Sequence, residues 1–419
     1  MSRNYVNRKL VIRLFPVQGL PYFGFTAIVD SGSLSDISGL SCQSDTMGEN
    51  EKTDKNDARQ PTSPPDGMGQ QPVSMPVMRI LDASINRASE GLRVVESFAR
   101  MVLEDTFLSR QLKQLRHDLV QSCQCIDTIS RIRARDSEAD VGRNVQTESE
   151  YQRENFESLI RSNMTRVQQA TRTIEEYSKS SHPSVALEVE QIRYRAYTLE
   201  KAILGTAFNR SRFEEAHLYV LVDACGETSQ FAKLEKLVST LVEAGVDLIQ
   251  LRDKSLTDRE LVAAGKLIGS LTGDSKTQWI MNDRADLCAA AGSDGVHLGQ
   301  DDLSVHEARM LLNSNQLIGV STHSIEQARQ AVIDGADYIG VGPVFESQTK
   351  SFDSHVGVEL VPSVVSEVSL PVFAIGGINA SNVADIVKTG CHRVAVSSAV
   401  CKSEDFGAAA KGLLQRLVS

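Results

Sequence analysis

From residue 218 onward, short apolar runs alternate with stretches of helical spacing. The runs are LYVLVD (218–223), DLIQLR (247–252), QWIMND (278–283), DGVHLG (294–299), LIGVS (317–321), YIGVG (338–342), PVFAIGG (371–377) and RVAVSS (393–398). Each is continuously apolar, the pattern of a parallel strand covered on both faces. The intervening stretches, such as TDRELVAAGKLIGSL (257–271) and SIEQARQAVIDG (324–335), repeat their apolar residues every three or four positions. Eight such units predict an α/β fold, a (β/α)8 TIM barrel over residues 211–419, with an open doubly wound sheet as the alternative.

The preceding stretch, residues 78–210, carries a single period. Ile80, Ala83, Leu92, Val95, Phe98, Ala99 and Val102 recur at helical spacing with few glycines, which predicts an all-α helical domain. The segment also repeats itself. NRASEGLRVVESFAR (86–100) aligns with TRVQQATRTIEEYSK (165–179), pairing Arg87 with Arg166, Arg93 with Arg172 and Glu96 with Glu175. QLRHD (114–118) aligns with QIRYR (191–195) at nearly the same offset. Two helical hairpins related by duplication account for this. Arg93 and Glu96 lie three apart on a helix, so ion pairing is the simple reading; their recurrence suggests a two-fold arrangement of buried or site-facing charges. RARDSEADVG (133–142), between the repeats, reads as a solvated loop able to meet a phosphate or a cation.

Residues 1–77 differ from both. From Ser41 to Pro76 the chain is rich in Ser, Asp, Asn, Gly, Pro and Gln, a composition that buries no core and reads as a disordered linker. Met75 and Met78 stand just before the first patterned segment, so a start of translation there is an expectation of the sequence. No apolar run approaches the length that spans a membrane. The net charge of −10 over 419 residues disfavours nucleic acid and anionic membranes as partners. Seven cysteines without a CxxC pair argue against a zinc site or disulfide framework and for a cytoplasmic setting. The sequence leaves a homo-oligomer open.

Polar residues gather at the C-terminal ends of the barrel strands, where such barrels carry their working face. Arg252, Lys254 and Lys350 supply cations suited to a multiply charged phosphate. Asp283 and Asp302 could share Mg2+, which binds through one or two carboxylates plus substrate phosphate; alternatively each caps the helix that follows. Gly376–Gly377 and Ser397–Ser398 match the phosphate pocket of these barrels. Gln250 and Asn282 offer amides suited to the edge of a heterocyclic base. His297 reads as packed within its strand, and His323 as within reach of the site.

The motifs QLRDK (250–254), NDRADLCAAAGSDGVHLGQDD (282–302), IGVSTHS (318–324), DYIGVGPVFESQTK (337–350), PVFAIGGI (371–378) and VAVSSAV (394–400) run through the whole barrel in order. On these residues the C-terminal half resembles thiamine-phosphate synthase (thiamine-phosphate pyrophosphorylase). The resemblance implies a transferase of thiamine biosynthesis that joins 4-amino-2-methyl-5-(diphosphooxymethyl)pyrimidine to 4-methyl-5-(2-phosphoethyl)thiazole with release of pyrophosphate. It implies that Gln250, Leu251, Arg252, Asp253, Lys254, Asn282, Ser321 and Lys350 bind the pyrimidine diphosphate. Asp283 and Asp302 would hold Mg2+, while Ser347, Gln348, Thr349, Gly377, Ser397 and Ser398 would bind the thiazole phosphate. Arg252, Lys254 and Lys350 would act on the departing diphosphate. The usual Thr-x-Thr-Lys here reads Ser-Gln-Thr-Lys, which keeps the hydroxyl.

The helical segment resembles a module often fused to this synthase and assigned to pyrimidine phosphate kinase activity, through ASINRASEGLRVVESFAR (83–100), QLRHDL (114–119), RDSEADVG (135–142) and RYRAYTLEK (193–201). No GxxxxGK[ST] loop is present. A thiazole isomerising or regulatory phosphate-binding barrel, with the helices as a dimerisation scaffold, is the alternative; QLRDK, both aspartates and Lys350 argue against it.

Overall fold

The computed structural model describes residues 73–136, 154–228, 230–346 and 357–418. The readings placed on residues 1–72, on residues 137–142 and on Ser347, Gln348, Thr349 and Lys350 lie outside the described residues.

Five helices come first: α1 (Met75–Met101), α2 (Thr106–Ser122), α3 (Thr128–Arg133), α4 (Phe156–Ser178) and α5 (Pro183–Arg212). The four long ones each bury one narrow seam. In α1 it is Leu81, Ile85, Ala88, Leu92, Val95 and Ala99; in α5 it is Val185, Val189, Ile192, Ala196, Leu199 and Ile203. Alternating steps of four and three keep such residues on one face. α1 packs on α2 and α4, and α5 packs on α4 and α2, so the duplicated hairpins meet seam to seam. The duplicated glutamates prove to be buried and ion-paired. Glu96 accepts from Arg116 at 3.0 Å with Arg93 at 3.6 Å. Glu175 accepts from Arg193 at 3.0 Å with Arg172 at 2.5 Å. Arg135 from the loop pairs with buried Asp82 at 2.5 Å.

The barrel strands are β1 (Leu218–Val222), β2 (Leu248–Leu251), β3 (Gln278–Asn282), β4 (Gly295–Leu298), β5 (Leu317–Thr322), β6 (Tyr338–Val341), β7 (Val372–Ile375) and β8 (Val394–Val396). All pair in parallel with their sequence neighbours, and β1 closes on β8. Around them run α6 (Ala232–Ala244), α7 (Asp258–Thr272), α8 (Ala285–Ala291), α9 (Val305–Leu311), α10 (Ile325–Asp334), α11 (Leu360–Glu367), α12 (Val383–Val387), α13 (Ser398–Cys401) and α14 (Phe406–Val418). The open sheet is therefore not adopted. Inside the barrel, Tyr219, Leu248, Ile280, Leu317, Tyr338, Phe373 and Ala395 form a layer at the N-terminal ends of the strands.

Phe213, immediately after α5, completes that layer. It is 1% exposed and its ring centroid stands 5.5 Å from Tyr338 and 6.0 Å from Phe373. Arg393 donates two hydrogen bonds to its carbonyl, at 3.2 and 2.9 Å. Helices and barrel also meet through side chains. Asp105 caps α2 through Leu108 N–H at 2.7 Å and accepts from Ser369 N–H at 2.8 Å. Arg110 pairs with Glu367 at 2.8 Å, and Glu367 also accepts from Arg329 at 2.8 Å. Among the described residues no helix is long and apolar enough to cross a membrane.

Candidate active site

A cavity of about 570 Å3 opens at the C-terminal ends of the strands. Of the residues singled out in the sequence, Gln250, Arg252, Lys254, Asn282, Asp283, Asp302, Ser321, Gly377, Ser397 and Ser398 line it. Leu251 and Asp253 do not. Strand alternation turns Leu251 outward, where it is fully buried in the layer between strands and helices. Asp253 instead braces the β1 loop, accepting from Ala224 N–H at 3.0 Å and from Ser255. In QLRDK, then, Gln250, Arg252 and Lys254 carry the side-chain chemistry toward the cavity.

Asp283 directly follows β3 in the left-handed region, at φ 61°. Its N–H still donates to the His297 carbonyl at 2.8 Å, so the strand register holds while the chain turns sharply. Asp is among the few side chains that enter this region without large cost. Asp302 sits on the β4–α9 loop, where its carboxylate accepts from Gly299 N–H at 2.7 Å. A methyl group at Gly299 would lie 2.9 Å from that carboxylate oxygen, so only glycine permits this approach. Neither aspartate caps a helix: Ser304 caps α9 in a capping box, and Arg284 occupies the cap position of α8. Burial raises the Asp283 carboxyl above its ordinary range, and the charge and hydrogen-bonding reach of Asp302 add to this; Lys254 and Asn282 partly offset it.

Two facing carboxylates, one half-buried and held in an unfavourable charge state, suit a hard divalent cation. Among the described residues no group of three or more His, Cys, Asp or Glu gathers that could hold a metal ion by itself. The pair therefore leaves most of a cation's coordination sphere to water and ligand oxygens, which fits Mg2+ with a phosphate substrate.

On the far side, β7 is followed by Gly376 and Gly377, both at positive φ. A methyl at Gly377 would lie 2.3 Å from the Glu346 carbonyl, so the two loops meet backbone to backbone. Asn382 donates to the Gly377 carbonyl at 3.0 Å and fixes the turn. Ser397 and Ser398 stand at the entry to α13.

His323 lines the cavity, within reach of the site as its sequence position suggests. Several lining residues were not among the sequence-predicted site: Gln300 donates to the Ser321 carbonyl at 2.6 Å, and Gln327, Asp223 and Asp301 face the same space. Tyr219 and His297 form the base of the cavity. His297 is buried as expected, but at the site: burial pushes its imidazole down to about 4, so the ring is neutral at physiological pH. Its two nitrogens lie 3.2 Å from the Tyr338 hydroxyl and 3.0 Å from the Ser321 hydroxyl.

Known proteins align with this picture. Residues 218–400 match the family described as thiamine monophosphate synthase, and residues 79–202 match the ThiD2 family. A thiamine-phosphate synthase from Rhodopirellula baltica is 42% identical over 353 residues, covering 82% of this chain and 93% of its own. One from Synechocystis is 37% identical over 348 residues, covering 83% of this chain and 98% of its own. A solved thiamine phosphate pyrophosphorylase from Pyrococcus furiosus is 34% identical, with a TM-score of 0.44 over 49% of this chain and 96% of its own. The alignments to Rhodopirellula and Synechocystis run through helical segment and barrel together, nearly end to end in the relatives, and the chain belongs to the thiamine-phosphate synthase family.

Proposed function

We propose that the barrel joins 4-amino-2-methyl-5-(diphosphooxymethyl)pyrimidine to 4-methyl-5-(2-phosphoethyl)thiazole, giving thiamine phosphate and pyrophosphate. The observation that carries this reading is the division of one cavity into two chemically different sides. Arg252, Lys254 and the aspartate pair stand on the β2–β4 side, and the Gly376–Gly377 turn with Ser397 and Ser398 stands on the β7–β8 side. A diphosphate needs the first and a monophosphate is served by the second.

Gln250, Asn282 and Ser321 hold the pyrimidine, and Arg252 and Lys254 hold its diphosphate, joined by Lys350 on the motif that follows β6. Ser347, Gln348, Thr349, Gly377, Ser397 and Ser398 hold the thiazole phosphate. Asp283 and Asp302 would hold Mg2+, which when bound supplies positive charge beside the diphosphate oxygens. The methylene C–O bond breaks and its electron pair leaves with pyrophosphate, stabilised by Arg252, Lys254 and Lys350. The thiazole nitrogen lone pair forms the new bond to the methylene carbon. No proton moves, so no general base is required; the protein supplies proximity and leaving-group electrostatics. The test is the full chain with both substrates and Mg2+, following pyrophosphate. Stoichiometric pyrophosphate and thiamine phosphate are expected, and their absence overturns the reading.

The ThiD2 match favours a second activity: phosphorylation of the pyrimidine monophosphate by residues 78–210, upstream of the barrel at 211–419, in a cytoplasmic protein. Full chain given ATP, pyrimidine monophosphate and thiazole phosphate would then make thiamine phosphate without added diphosphate. Failure with an active barrel favours a scaffold role for the helices.

A further inference from the structure

A continuous hydrogen-bond chain crosses the base of the cavity. Gln250 Nε2 donates to the Tyr219 hydroxyl at 2.6 Å, the Tyr219 and Tyr338 hydroxyls lie 3.0 Å apart, and His297 follows, with Ser321 at the far end. Gln250, Tyr219, Tyr338 and His297 are all buried, so water does not compete for these bonds. The barrel aligns them: Tyr219 and Tyr338 come from the floors of β1 and β6, His297 from β4, and the two end groups from β2 and β5.

The chain admits two proton orders, because each phenol oxygen both accepts and donates. In the order that leaves Ser321 a donor, the Tyr219 oxygen accepts from Gln250 and the Tyr219 hydroxyl donates to the Tyr338 oxygen. Tyr338 then donates to His297 Nδ1, which leaves the proton of a neutral imidazole on Nε2, donated to the Ser321 oxygen. Two groups are left over at the two ends. Gln250 retains its carbonyl oxygen as an acceptor, and Ser321 retains its hydroxyl proton as a donor. A 4-aminopyrimidine edge requires this pair, an acceptor for its exocyclic amine and a donor for a ring nitrogen.

We propose that Tyr219, Tyr338 and His297 are positioning residues that fix the Gln250 amide and the Ser321 hydroxyl in one donor–acceptor pattern, and so select a 4-amino over a 4-oxo pyrimidine. The inference rests on the functional reading above. A 4-oxo ring presents an acceptor where the amine was and meets the Gln250 carbonyl oxygen unpaired. A loosened chain lets the amide turn over and accommodate either ring.

The test measures binding of the 4-amino and 4-oxo pyrimidine diphosphates to the full chain by calorimetry, in Mg2+ and without thiazole, with KM for the thiazole phosphate measured separately. The unmodified protein is expected to prefer the amino compound by about 100-fold, the upper cost of one buried acceptor left unpaired. Tyr338→Phe keeps the ring and removes the link; the preference should fall by about 10-fold, the value of one lost hydrogen bond, with thiazole KM unchanged. Tyr219→Phe cuts a different link and should give the same pattern if either variant folds poorly. His297→Gln, which can still donate to Ser321, should retain more preference than His297→Leu. An unchanged preference in both phenylalanine variants with normal turnover overturns the inference alone. No binding of either pyrimidine by the unmodified protein overturns the functional reading with it. Equal losses for pyrimidine and thiazole would mark the chain as mere packing.

Discussion

Replacing Asp302 by Asn separates a metal-holding carboxylate from a structural one, because the two roles move stability in opposite directions. Asparagine keeps an oxygen that can accept from Gly299 N–H, so the loop bond survives. The substitution removes one of two negative charges within hydrogen-bonding reach. Two unit charges about 4 Å apart repel by roughly 4 kcal/mol at an effective dielectric near 20. The exposure of Asp302 and the nearby Lys254 screen much of this, leaving about 1 kcal/mol to be recovered. In EDTA the variant should therefore melt about 2–4 °C above the parent. With Mg2+ and pyrophosphate the order should reverse: the parent gains about 2.7 kcal/mol at a ligand concentration of about 100 Kd, and the variant gains little. The pH dependence carries a second sign. A carboxyl raised in the folded state binds protons more tightly there than in the unfolded chain, so it lowers stability as pH rises. The metal-free parent should gain stability as pH falls through the raised Asp283 titration, and the variant should gain less. A variant that melts below the parent in EDTA, or that keeps the full Mg2+ response, would refute the reasoning.

Lys350→Ala should lower kcat by about 100-fold or more while leaving the melting temperature nearly unchanged, since its loss is felt at the departing diphosphate; near-normal turnover in steady-state assays would argue against that role. Gly299→Ala places a methyl 2.9 Å from the end of an exposed side chain that can swing away, so urea unfolding should change by less than about 1 kcal/mol while the Mg2+ concentration for half-maximal activity rises by about 10-fold. Burial alone would raise the Glu367 carboxyl, but hydrogen bonds and charge from Arg110 and Arg329 outweigh it and hold it below its usual range. The stability it contributes is present above the unfolded carboxyl value of about 4.3 and is lost as pH falls through the lower folded value; acid unfolding of Glu367→Gln should show a shallower limb there.

The barrel was legible because parallel strands buried on both faces leave continuous apolar runs, and each run met in the sequence became a strand in the expected order. The bundle was legible because four-and-three spacing survives duplication: Glu96 and Glu175 kept their arginines as well as their places. Much of the cavity lining followed from polar residues at strand ends. What escaped was orientation. QLRDK does not announce that Leu251 turns to the helices while Gln250 turns inward, although strand alternation contains that information. Nothing local marks Asp283 as left-handed, because its turn depends on the β4 carbonyl it bonds. His297 looked like packing because its partners, Tyr338 and Ser321, lie 41 and 24 residues away. Phe213 carried no signal at all, since NRSRFEEAH has no period.

That last residue constrains how this architecture can be rearranged. The barrel's base is filled by a ring that directly follows the last helix of the helical segment, anchored by Arg393 further along the barrel. The two halves are thus joined like a bottle and its stopper rather than like beads on a cord. A gene-level exchange that brought in a foreign helical partner would have to deliver a large ring at the same depth. A lineage that discarded the helices would have to retain, or reinvent, the stopper.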